Sequence, residues 1–119
     1  MQAIVIMKRG TGIDELARIE LDIPQLVDSH QVLIKVAYAS LNPVDYKLIV
    51  NQPVFLTYPY IPGLDLAGEV VAIGAGVTMV QIGDRVGLHA NLQFGGALAE
   101  YTLQLEHALF KIPLGFALC

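Results

Sequence analysis

The stretch AGEVVAIGAGVTMVQIGDRV, residues 67–86, decides the fold. An apolar run enters Gly74-Ala75-Gly76, which is how a strand-to-helix dinucleotide turn begins. A G-x-G-x-x-G turn needs its third glycine at position 79, where Met79 stands, and Gly83 arrives before a helix could form. The other reading is a hairpin, in which a strand ends at the glycines and a second strand starts near Arg85. The residues favour the hairpin, and no other stretch offers a better dinucleotide turn. The chain is therefore expected to hold no nucleotide-binding fold of its own.

Outward from this hairpin the periodicity stays that of strands. QAIVIM reads as a first strand, and LARIELDIP alternates like a half-buried one that stops at Pro24. QVLIKVAYASLN, residues 31–42, is the longest extended candidate, with Val32, Ile34, Val36 and Tyr38 expected on one face. RVGLHA and ALAEYTLQL follow, separated by glycine turns at Gly83 and Gly95-Gly96. Many short strands punctuated by Gly and Pro imply a mainly β chain, an antiparallel barrel or sandwich. QPVFLTYPYIPG, residues 52–63, holds too many prolines for regular structure and is expected to be an irregular loop crossing the surface.

Length and composition exclude several functions. The 119 residues suit one domain, and the 55% hydrophobic content with positive mean hydropathy supports a sizeable core. So high an apolar share also suits a face that packs against something else. The net charge of −4 and the scattered basic residues argue against nucleic acid. The longest charge-free run, 48–64, is broken by Pro53, Pro59 and Pro62, so no membrane span is expected. At the N-terminus the charges follow the apolar run, the reverse of a secretory leader, and a cytoplasmic location is expected. A single cysteine, Cys119, excludes an internal disulfide and a thiolate-rich zinc site.

One helix is persuasive, and it starts inside YASLNPVDYKL, residues 38–48. Asn42 can cap it, Pro43 suits its first position, and Asp45 places negative charge at the positive end of the helix dipole. That accounts for the polar cluster without any chemistry. His30, His89 and His107 are widely spaced and read as surface or core histidines, not metal ligands. Ser29 and Ser40 lack a nucleophile-elbow setting, and Asp84-Arg85 reads as a turn with a structural ion pair.

Three segments in order change the weight of that cluster. ASLNPVDYK, then YPYIPGLDLAGEVVAIGAGVTMVQIGDRV, then GGALAEYT resemble the N-terminal domain of the medium-chain dehydrogenase/reductases. The nearest branch resembles the zinc-independent quinone oxidoreductases, related to zeta-crystallin. The resemblance runs from the first strand to ALFKIPLGF, nearly the whole chain. It implies a GroES-like fold, a partly open antiparallel β-barrel with a few short helices, as a single domain over residues 1–119. It also implies a Rossmann cofactor domain facing this one, absent from the sequence.

The resemblance further implies chemistry without metal. Zinc-dependent relatives have cysteine where Asn42 stands, and histidine where Leu64 stands in Gly63-Leu64-Asp65. Their four-cysteine lobe is missing. In the zinc-free branch NADPH supplies hydride, and hydrogen bonds polarise the carbonyl. Asn42, Asp45, Tyr46 and Lys47 match or adjoin the polar wall of that cleft. Asn42 would position the nicotinamide ribose or the substrate oxygen, and Tyr46 or Lys47 would donate to a developing oxygen anion. Lys47 stands where several quinone reductases carry tyrosine. Asp65 is expected to secure backbone or pair with Arg85.

Two functions follow. The chain is either the catalytic portion of an NADPH-dependent quinone or carbonyl reductase, inactive without its Rossmann partner, or a stand-alone GroES-like module. The second would bind a hydrophobic ligand or protein, or self-associate into a homo-oligomer.

Overall fold

The computed structural model describes residues 1–7, 16–51, 56, 58–90 and 95–113. Among them are seven strands and one α-helix. The strands are β1 (Gln2–Ile6), β2 (Leu16–Glu20), β3 (Gln31–Ser40), β4 (Asp65–Ile73), β5 (Arg85–His89), β6 (Tyr101–Leu105) and β7 (Phe110–Lys111). The helix α1 (Pro43–Asn51) follows β3, and a single 3-10 turn, Glu106–Ala108, lies between β6 and β7.

Residues 67–86 form a hairpin. β4 pairs antiparallel with β5, Leu66 opposite Leu88 and Gly68 opposite Val86, and residues 74–84 make the connection. Gly76 N donates to Ser29 O at 2.8 Å, which seats the glycine turn against the loop before β3. All pairings are antiparallel, in a five-stranded sheet ordered β6-β3-β4-β5-β7 and a separate β1-β2 ribbon. The ribbon joins the rest through single bridges, Ala3 to Ala99 and Ile6 to Tyr60. The result is a sheet that curls without closing, as the resemblance implies.

Alternation along the strands builds the core. Val32, Ile34, Val70 and Val86 are fully buried, and Leu64, Leu66, Leu88 and Ala90 pack with them. Each large aliphatic side chain taken from water stabilises the fold by about 1.5–3 kcal/mol. A second cluster, Ile6, Leu48, Ile49, Leu56 and Tyr60, fastens α1.

The expected single face of β3 is corrected. Val32 and Ile34 are buried, Val36 is half-buried, and Tyr38 is 50% exposed. The register passes from Val36 opposite Gly68 to Tyr38 opposite Ala67, so Ala37 is an extra residue. Such a bulge reverses the facing of everything after it. Tyr38 and Ser40 thereby share the outer face with Ala67 and Asp65. The second strand also stops at Glu20, short of Pro24. Much of 52–57 lies outside the described residues, and the surface crossing expected of 52–63 is corrected where it is described, since Leu56, Tyr60 and Pro62 are buried.

No helix among the described residues is long and apolar enough to cross a membrane.

Candidate functional site

Two of the polar residues predicted around the helix start, Asn42 and Asp45, come together. Asn42 ends the extended run after β3, and Pro43 opens α1 with its φ already helical. Asp45 sits three residues on, and its Oδ2 accepts from Asn42 N at 2.8 Å, while Asp45 N donates to Asn42 O at 2.9 Å. This is the reach-back half of a capping box, with Asp45 in the place of the usual glutamate. Asp45 is only 1% exposed, and its Oδ1 has no hydrogen-bond partner among the described residues. A buried carboxylate is costly, and here the helix dipole offsets part of that cost.

Asn42 also turns its side chain across to β4. Its Nδ2 donates to Asp65 Oδ2 at 2.5 Å. Asp65 begins β4 and lies directly opposite His89, the last residue of β5, and His89 Nδ1 sits 2.6 Å from Asp65 Oδ1. The expected Asp65–Arg85 pairing is therefore corrected. Asp65 and Arg85 stand at opposite ends of the same β4–β5 ladder, and Arg85 Nη2 donates to Pro113 O instead. The Asp84–Arg85 ion pair is corrected too, since Asp84 Oδ2 lies 3.4 Å from Lys111 Nζ. His89 is not a solitary histidine, and neither is His30, which approaches Glu106.

Asp65 and His89 form the polar end of a cleft of about 380 Å³ on the outer face of the sheet. Tyr38 and Phe110 wall it, and Ala67 lies between them. Phe110 lies over Gly87, where an added Cβ would fall 2.7 Å from the ring. The bulge in β3 is what brings Tyr38 to this side.

Tyr60 is buried close to Asp45. Burial, and then the Asp45 carboxylate, push its phenol up from 10.0 to about 12, so it stays a neutral O–H donor. Of the predicted residues, then, Asn42 and Asp45 are brought together, with Asp65 as their extension. Lys47 is exposed on α1, and Tyr46 lies in α1 with its side chain outside the described residues. The sequence reading missed His89. The available signal was the hairpin register, which places a histidine opposite the aspartate once the turn at 74–84 is accepted.

Residues 28–114 match the model of the alcohol dehydrogenase GroES-like domain. The chain belongs to that family. This GroES-like domain is 37% identical over 116 residues to a quinone-oxidoreductase homolog, chloroplastic, of Spinacia oleracea, covering 95% of this chain and 35% of that protein. Among solved structures, the quinone oxidoreductase from Coxiella burnetii superposes with a TM-score of 0.86 at 29% identity, over 99% of this chain and 38% of that one. The Escherichia coli quinone oxidoreductase complexed with NADPH shares the fold, with a TM-score of 0.85 at 21% identity, over 99% of this chain and 35% of that one. The GroES-like domain thus spans about a third of the relatives' length. Within it Leu64 lies buried in the main core cluster and offers a metal no donor atom.

Proposed function

We propose that this chain is the catalytic-domain portion of a zinc-independent, NADPH-dependent oxidoreductase that reduces a quinone, or an enone or other carbonyl. The observation that carries the reading is the Asn42–Asp65 bond at the end of β3, beside the start of α1. A carboxylate only accepts, so the amide must turn Nδ2 toward Asp65 and Oδ1 to the opposite side. An acceptor held in that way suits a ribose hydroxyl, which donates. The site therefore fits a nicotinamide nucleotide at Asn42.

When bound, the reduced nicotinamide would supply hydride. The chain's own residues would do the rest. Asn42 holds the ribose, Asp45 and Asp65 fix Asn42 from its backbone and its side chain, and Tyr46 or Lys47 donates a proton toward the oxygen that gains charge. Donor and acceptor must be held at reacting distance, and that positioning lowers the barrier by several kcal/mol, on the order of 7–11 at best. A Rossmann-type domain, in the same polypeptide or another, would complete the chamber. Exposed Leu41 and Val44 beside Asn42 supply apolar surface for it. A cytoplasmic location belongs to the same proposal, and fractionation of the source cells decides it.

The test joins this chain to the cofactor domain of the Coxiella relative and measures NADPH binding by the fluorescence of the reduced nicotinamide. Asn42→Ala should weaken binding about tenfold, the loss of one good hydrogen bond. Unchanged binding would remove Asn42 from the cofactor site.

A further inference from the structure

We propose that His89 is a positioning residue for Asn42, acting through Asp65. The inference rests on the reading that Asn42 holds the cofactor's ribose, but its geometry stands apart from any cofactor. Asp65 is a shared acceptor: Oδ2 takes Nδ2 of Asn42 at 2.5 Å, and Oδ1 takes Nδ1 of His89 at 2.6 Å. The torsion that turns a carboxyl group about its last bond is soft and roughly two-fold. One hydrogen bond leaves that rotation loose, whereas two bonds at opposite oxygens fix the plane.

His89 is well placed to supply the second bond. It is the direct cross-strand partner of Asp65, so the β4–β5 ladder sets their separation and no loop intervenes. Ser40 pairs with Asp65 on the other side, which anchors the carboxylate's backbone on both flanks. Because a carboxylate has no proton to give, His89 must donate from Nδ1. That choice holds whether the ring is neutral or charged. A chain of fixed polarity results, with the imidazole donating to Asp65, the amide donating to Asp65, and Oδ1 of Asn42 facing away. Removing His89 frees the carboxylate to turn and lets the amide lose its orientation.

The test uses the 119-residue chain in solution. Nitrogen-15 spectra of the histidine rings should show His89 protonated at Nδ1. His89→Ala should speed hydrogen exchange of the Asn42 side-chain amide about tenfold, the scale of a charge-assisted bond. The amide signal is identified by its loss in Asn42→Ala. His89→Asn, which places an amide nitrogen near the position of Nδ1, should restore slow exchange. A folded His89→Ala protein with unchanged Asn42 exchange would overturn the proposal. If His89→Ala fails to fold, the ring spectrum of the unaltered chain decides, because a proton on Nε2 alone contradicts the geometry. None of these readouts involves NADPH. If Asn42→Ala leaves NADPH binding intact while the ring and exchange results hold, the functional reading falls and the positioning role survives.

Discussion

Gly63 and Gly83 form a matched pair that separates backbone strain from packing. Both lie at positive φ, +98° and +97°, where a side chain is strained by roughly 1–2 kcal/mol. Their surroundings differ. A Cβ on Gly63 would fall 2.7 Å from Ala97 Cβ and 3.2 Å from Leu98 N, while one on Gly83 would meet nothing within 4 Å. The backbone around Gly63 cannot yield easily, because Pro62 O and Gly63 O accept from Leu98 N and Ala97 N, each at 3.1 Å. Overpacking adds about 1–3 kcal/mol. Gly83→Ala should therefore cost about 1–2 kcal/mol and Gly63→Ala about 2–5, a large part of the stability of one domain. Urea unfolding followed by circular dichroism measures both. Equal losses would refute the contact argument, and no loss at either site would refute the backbone conformations.

Three further outcomes follow from the same structure. Leu64→Ala should cost about 2–5 kcal/mol in urea unfolding, since this fully buried side chain joins β4 and β5 in the core. Tyr60 has its phenol raised, so its contribution is whole below pH 10.0 and lost as pH rises toward about 12. Ultraviolet titration should find one tyrosine ionising near pH 12, with unfolding midpoints falling over the same range and a flatter profile in Tyr60→Phe. Glu106 is held below its ordinary 4.5, first by Met79 N–H and then by Thr78 N–H, with His30 adding to the effect. Its contribution is present above pH 4.5 and lost as pH falls through the lowered value. Thermal unfolding at decreasing pH should show that loss in the native chain and a smaller one in Glu106→Gln.

The hairpin was legible because Met79 and Gly83 exclude a dinucleotide turn, and the Gly-rich turn settled the strand direction. The helix start was legible because Asn-Pro-Val-Asp has one economical meaning at a chain reversal. Strand facing after Val36 was not. A bulge inserts one residue without changing the alternation of residue types, so Ala37 gave no sign that Tyr38 would turn outward. The same limit hid His89. Its partner depends on cross-strand register, and an isolated histidine in an apolar run reads as a surface residue until the opposite strand is known. Asp45 and Asn42 were found by local capping logic, whereas the bond from Asn42 to Asp65 spans 23 residues and needs the folded sheet.

In the proposed function this domain supplies one wall of a two-walled reaction chamber. The most direct measurement is NADPH oxidation with a quinone acceptor, by the chain alone and by the chain joined to a relative's cofactor domain. Turnover is expected only in the joined protein, without added zinc. Turnover by the chain alone would overturn that proposal, as would a folded, NADPH-binding joined protein that reduces nothing.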